Sequence, residues 1–355
     1  MATGDEILRE YEEFTDHKVL FGGLSAAALV ALFLYAIAAG PVHIPVLDVI
    51  AILAGGGSGT HRTIIWQIRL PQALAAVVAG AGLSVAGAAM QNVLRNPLGS
   101  PFTLGISQAA AFGAAFAIVF LGVGTTARGD DYTVLINNPY VITTSAFLWS
   151  LVSTAVILAL VRYKRATPET MILTGVAMGS LFTASLSLVQ YFARDVEVAA
   201  IVFWTFGDVA RATWSDLAVM TAATVVGSVY FVKNSWNYNA LNSGDETAAS
   251  LGVNVARLRV GGMIVASLVT AFIISFVGII GFVGLVVPHI VRKAIGGDER
   301  FLMPVSCVVG AALLLASDTV ARLVVAPVVL PVGILTSFVG APMFLYLVVR
   351  GRDYW

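Results

Sequence analysis

Asp318 and Arg322 stand four residues apart in a long apolar run, an acid and a guanidinium at the spacing of a helical ion pair. Acids near the middle of a membrane usually mark proton or sodium coupling. This acid carries its own counter-charge and lies near one end of its run, so it reads as a self-neutralised pair and not as a proton relay. The histidines His17, His43, His61 and His289 are scattered, and His289 beside Pro288 reads as a structural hydrogen-bonder rather than a metal ligand. The single cysteine, Cys307, reads as a small buried side chain. The chain contains no G-x-x-x-x-G-K-[ST], no H-E-x-x-H and no cysteine pair, which excludes P-loop nucleotide binding and the common zinc motifs.

The most structured polar stretch is 241–259, LNSGDETAASLGVNVARLR. Ser243 and Glu246 have the S-x-x-E spacing of a capping box, and Asp245 and Glu246 place acid in a first helical turn, where the helix dipole favours it. Gly252 supplies a stop after Leu251, and Asn254 can cap the helix that follows. The resulting helix has about two turns, far fewer than the ~12–15 residues that an isolated helix needs in water. Either it packs on its own chain or it docks into a partner. Thr247 and Ser250 beside Ala248, Ala249 and Leu251 offer a small close-packing face that suits a partner's cleft.

Those elements sit in a chain of 355 residues, 58% hydrophobic and 11% charged, with mean hydropathy +0.90. A soluble domain carries about 25% charged residues, so the expected fold is all-α, a polytopic membrane helix bundle. The formal net charge of zero argues against nucleic acid as a partner. Apolar runs of roughly spanning length cover 19–39, 72–93, 105–121, 141–161, 171–192, 214–231, 260–278, 301–320 and 331–349. A shorter run at 281–291 brings the expectation to about ten membrane helices. Gly278, Gly281 and Gly284 divide 260–291 into a full helix, a turn and a short helix buried among neighbours. Small-residue stripes at Gly80, Ser84 and Ala88, at Ala109, Gly113 and Ala117, and at Gly175 and Gly179 predict close helix packing, with a seam to a second copy through Gly175 and Gly179 as one use of the last.

Residues 1–18 form a polar, acidic N-terminal segment with helical spacing of Ile7, Leu8, Tyr11 and Phe14, too acidic for a signal peptide. Residues 19–350 form one transmembrane domain, with the polar segment at 241–259, and 351–355 a C-terminal tail. With both termini cytosolic, 14 of the 20 Lys and Arg lie on inner segments and 6 on outer ones, the expected bias. That places 241–259 in the cytosol. A bundle with no visible energy source and a cytosolic helix too short to stand alone implies energy from a separate cytosolic protein. An ion-driven secondary transporter and a membrane-embedded enzyme are the other readings; neither a midplane acid pair nor a polar catalytic constellation is visible for them.

Residues 66–107, WQIRLPQALAAVVAGAGLSVAGAAMQNVLRNPLGSPFTLGIS, resemble the signature of FecCD-type permeases, the membrane subunits of ABC importers for cobalamin, haem and ferric siderophores. Further similarities are LTGVAMGSLFTASLSLV at 173–189, GDETAASLGVNVARLR at 244–259, GFVGLVVPHIVR at 281–292, ASDTVARL at 316–323 and PVGILTSFVGAPMFLYLV at 331–348. The resemblance implies a type II importer in the plasma or inner membrane: ten helices per permease, two permease copies around one pathway, two cytosolic ATP-binding subunits and an external substrate-binding protein. ATP would be used on the partner subunit, and the permease would hold no cofactor or metal. It further implies that Asp245, Glu246, Thr247, Ala248, Ala249, Ser250, Leu251 and Gly252 couple to the ATPase. Arg95, Asn96, Pro97 and Leu98 with Thr167, Pro168 and Glu169 correspond to the cytosolic gate, and Arg69 and Arg322 to arginines that dock the binding protein. Gln72 stands where relatives often carry a further arginine. Thr183, Ser187 and Gln190 are the residues expected to line the pathway.

Overall fold

The computed structural model describes residues 4–57, 59–126, 134–136, 138–164 and 167–350. Its helices are α1 (Gly4–Ala38), α2 (Val46–Leu53), α3 (Thr60–Ile64), α4 (Leu70–Val93), α5 (Ile106–Phe120), α6 (Pro139–Lys164), α7 (Pro168–Phe192) and α8 (Asp195–Thr205). They continue as α9 (Trp214–Lys233), α10 (Ser235–Asn242), α11 (Asp245–Ser250), α12 (Val255–Val277), α13 (Val283–Ile295), α14 (Glu299–Leu323) and α15 (Val332–Arg350). A small antiparallel hairpin pairs β1 (Gly124–Thr126) with β2 (Val134–Ile136).

Every apolar run expected to be a helix is one. Among the described residues, seven helical stretches are long and apolar enough to cross a membrane, and α5 and α15 are shorter apolar helices. A π-helical turn, Ile65–Arg69, joins α3 to α4, so that 60–93 is one unbroken span. Helix α1 runs continuously through the acidic N-terminal segment from Gly4. At ~1.5 Å per residue its 35 residues reach about 52 Å, well beyond a ~30 Å hydrocarbon core. The tail at 351–355 lies outside the described residues.

Helix α4 is the centre of the bundle, buried along most of its length. Small residues explain this. A Cβ at Gly80 would stand 2.3 Å from the Gly310 carbonyl oxygen of α14, and one at Gly87 would stand 1.7 Å from that of Gly284 in α13. Backbones therefore touch, which is how apolar helices gain packing where lipid supplies no hydrophobic drive. Gly175 is also consumed inside the chain: its Cβ would meet the Leu104 Cα at 2.8 Å, and a Cβ at Gly105 would meet the Gly179 amide nitrogen at 2.6 Å. Gly175 is therefore occupied by this chain's own 101–105 turn, whereas Gly179 is half-buried beside it.

The division of 260–291 is as expected, with a difference in detail. Helix α12 ends at Val277, and Gly278 leaves the helix at φ +79°. Gly284 is inside α13 as its contact with α4, and Pro288 sits mid-helix, with α13 continuing to Ile295. The irregular backbone is covered by protein: the Asp208 amide donates to the Val277 carbonyl at 2.7 Å, and Gly333 to Gly207 at 3.2 Å.

One end of the bundle carries a polar layer that ties α10 to α14. Asn239 donates to Asp298 at 2.9 Å and accepts from the Glu299 amide at 2.9 Å. Asn242 donates to Glu299 at 3.3 Å, and Arg292 donates to Gln91 at 2.8 Å. Lys18 lies 3.8 Å from Asp298, and Arg300 pairs with the same carboxylate. Burial pushes the Asp298 carboxyl up, but hydrogen bonds from Arg300 and Asn239 outweigh this and hold it at about 2, below the ordinary 3.8. A carboxyl depressed in the folded state contributes stability above its unfolded value and loses it as pH falls through the folded one. Asp298→Asn keeps the shape and the helix cap and removes the charge. It is expected to cost about 1–2 kcal/mol at neutral pH, read as a lower unfolding temperature in detergent. The gap from wild type should close as pH falls from about 4 to about 2.

Candidate functional sites at the two ends of the bundle

The polar stretch 241–259 does contain a short helix, α11, but Ser243 does not cap it. Helix α10 runs up to Asn242, and Ser243 closes that helix in αR conformation. An N-cap needs extended backbone; Gly244, at φ +114°, takes that place, and no side chain caps α11. The stop is as read: Gly252 lies at φ +85°, and Asn254 accepts from the Arg257 amide at 3.0 Å.

Asp245 is spent on ion pairing. Both its oxygens accept from Arg259, at 2.7 and 2.8 Å, and Oδ1 also faces Arg95 at 3.4 Å. The Arg259 guanidinium is buried in α12. Ala248 is 0% exposed and turned into its own chain, whereas Leu251 is 68% exposed. Glu246, Thr247, Ala249, Ser250 and Gly252 are open beside it. The close-packing face expected for a partner is thus split: Ala248 belongs to the fold and Leu251 to the open side.

A cleft of about 410 Å³ opens at this end, lined by Leu94, Arg95, Thr167, Pro168, Glu169, Asp245 and Arg259. It joins three segments that sequence reading singled out separately. Thr167 caps α7 by accepting from the Thr170 amide at 3.3 Å. Asn96 accepts from the Leu98 amide at 2.9 Å, which folds the turn that carries Pro97. Leu98 points elsewhere, into a half-open groove of about 840 Å³ whose wall includes Phe102, Phe282, Leu285, Phe338 and Pro342.

Thr183, Ser187 and Gln190 do not line that groove. They lie on α7, where the Thr183 hydroxyl donates to the Gly179 carbonyl at 2.8 Å and Ser187 to Thr183 at 3.1 Å. Thr183 and Ser187 are exposed, alongside Leu181, Leu188 and Tyr191. The apolar groove itself was not foreseen, because its wall is assembled from the 98–103 turn, the break before α13 and α15.

At the opposite end, Arg69 and Arg322 are 5% and 7% exposed and face inward. Arg69 donates to the carbonyls of Ile37 at 2.8 Å, Ala38 at 2.9 Å and Val42. Arg322 donates to Ala36 at 3.1 Å and Ala39 at 3.3 Å, and pairs with Asp318 at 3.0 Å. Gln72 completes the cluster by donating to Asp318 at 2.9 Å. The last carbonyls of a helix have no partner within it and form the negative end of its dipole. The two guanidiniums cap α1 in this way. Both charges are thus engaged within the chain. Among the described residues, the exposed arginines at this end are Arg62 and Arg194.

Spanning helices, a groove alongside them and charge clusters at both ends define a multi-pass membrane transport protein. The chain belongs to the FecCD transport family, whose sequence model matches residues 28–350. It is 52% identical over 347 residues to an ABC transporter permease protein of Methanocaldococcus jannaschii, covering 97% of this chain and 98% of that one. It is 36% identical over 290 residues to the hemin transport system permease protein of Yersinia pestis, covering 81% and 84%. A solved structure of an inward-facing, metal-chelate type ABC transporter superposes with a TM-score of 0.79 at 29% identity, covering 94% and 99%. The chain is a permease of this class, and the secondary-transporter alternative is not favoured.

Proposed function

We propose that the chain forms the translocation pathway of an ATP-driven importer whose cargo is a metal chelate: haem, cobalamin or a ferric siderophore. The observation that carries this reading is α11, a six-residue helix anchored on one side by Asp245 and Ala248 and open on the other at Leu251. A permease without a nucleotide fold needs such a surface to receive work from an ATPase. In this reading Glu246, Thr247, Ala249, Ser250, Leu251 and Gly252 meet the ATPase, with Asp245 and Ala248 supporting them. Arg95–Leu98 and Thr167–Glu169 form the gate around the cleft, and the apolar groove, with the open face of α7, contributes to the pathway. A second copy of the chain, two ATP-binding subunits and an external binding protein complete the assembly in the plasma or inner membrane. The end with Arg95 and Asp245 faces the cytosol together with both termini. Docking of the binding protein falls on the exposed residues of the opposite end, Arg62 among them.

The test is reconstitution. Purified alone, the chain should hydrolyse no ATP. In liposomes with its ATPase and binding protein it should take up radiolabelled haem, cobalamin or ferric hydroxamate, offered in parallel. Uptake that survives omission of the ATPase would overturn the proposal.

A further inference from the structure

Asp245 holds two arginines of very different character. The Arg259 pair is bidentate at 2.7 and 2.8 Å, and its guanidinium is 4% exposed. The Arg95 pair is a single contact at 3.4 Å between groups 46% and 43% exposed. Bidentate buried pairs are strong and geometrically fixed, whereas exposed pairs are weak and screened by salt. Asp245 is therefore fixed to α12 and only lightly joined to Arg95. Across the same cleft stands Glu169, within electrostatic range of both Arg95 and Arg259. Arg95 thus shares the cleft with two carboxylates, one on α11 and one at the start of α7.

The backbone at Arg95 points the same way. It closes α4 at φ +44°, a left-handed position where glycine is favoured and a Cβ costs energy. Backbone geometry alone does not call for an arginine here.

We propose that Arg95 is a movable charge latch, joined to Asp245 when α11 rests against the 95–98 turn and passed to Glu169 when α11 moves away. The inference rests on the reading of the chain as an ATP-driven importer. Asp245 is the positioning residue: its Arg259 pair ties α11 to the start of α12, so the two move as one against the 95–98 turn. Motion of α11 then changes which helix restrains the turn bearing Leu98, and Leu98 lines the apolar groove.

The discriminating variant is Arg95→Gly, which removes the charge and relieves the left-handed backbone. In the complete importer in liposomes it should keep the wild-type unfolding temperature and ATPase co-purification, while chelate imported per ATP falls at least about five-fold. The probe is whichever of radiolabelled haem, cobalamin or ferric hydroxamate the wild type takes up. Arg95→Lys, which keeps the charge, should stay within about two-fold of wild type, since a single contact does not need the guanidinium fork. Glu169→Gln should lower import per ATP in the same direction as Arg95→Gly. Import per ATP within about two-fold of wild type for Arg95→Gly overturns the latch. So does a fall in its unfolding temperature that accounts for the lost import, because Arg95 would then be only structural. A wild-type assembly that imports none of the three chelates would instead overturn the importer reading, and the latch with it.

Discussion

Asp318→Ala is expected to destabilise the protein by about 3 kcal/mol or more, the cost of leaving one member of a buried ion pair without its partner. Arg322 would lose its carboxylate while remaining buried, held only by the carbonyls of Ala36 and Ala39 and the Thr319 hydroxyl. Gln72 would lose its acceptor at the same time. Gln72→Leu removes a single neutral donor to the same carboxylate and should cost nearer 1–3 kcal/mol. The ordering is the check: unfolding temperature in detergent should fall more for Asp318→Ala than for Gln72→Leu. Equal and small losses would show that the cluster contributes little. The same geometry determines how arginine variants at this end must be read. Arg69→Glu would aim a carboxylate at the carbonyls of Ile37, Ala38 and Val42. Loss of binding-protein association in that variant would report a damaged fold before it reported a lost docking charge.

The apolar helices were legible because lipid makes a simple demand, about 20 apolar residues per span with polar breaks between. The break at Gly278 and the stop at Gly252 were legible because a glycine there has a backbone reason to exist. Family membership was legible from quoted stretches spread in order over most of the chain. What escaped was mostly a partner distant in sequence. Arg69 and Arg322 stand at the end of the bundle opposite α11, but the carbonyls that turn them inward lie 32 and 286 residues away. Gly175 and Gly179 show the small-residue pattern of a helix seam, and the pattern does not say that the seam closes on residues 103–105 of the same chain. Ser243 and Glu246 have capping-box spacing, but α10, which no apolar run announces, uses Ser243 to end itself. Asp245 was read for its place in a first turn. Its pairs with Arg259 and Arg95 have separations of 14 and 150 residues, and no local pattern encodes them.

Leu251→Asp is expected to remove the ATPase from the assembly without disturbing the membrane fold. Leu251 is 68% exposed at the end of α11 and is the largest apolar side chain on the open side of that helix. An apolar anchor buried at the centre of a protein contact typically accounts for about 2 kcal/mol or more of binding, or about thirty-fold in affinity, and a charge in its place adds a desolvation cost. A substitution on an exposed side chain should change stability by no more than about 0.5 kcal/mol. Ala248→Trp should behave in the opposite way. Ala248 is fully buried against its own chain, so the added bulk overpacks the junction of α11 with its neighbours and costs about 1–3 kcal/mol of stability. Two measurements on each variant separate the cases: unfolding temperature in detergent, and co-purification of the ATPase followed by uptake in liposomes. Leu251→Asp should keep the first and lose the second; Ala248→Trp should lower the first. If Leu251→Asp retains both the ATPase and normal uptake, the open face of α11 is not the ATPase contact. The next segment to test at the same end of the bundle would then be 292–300, where Arg292, Asp298, Glu299 and Arg300 join α13 to α14.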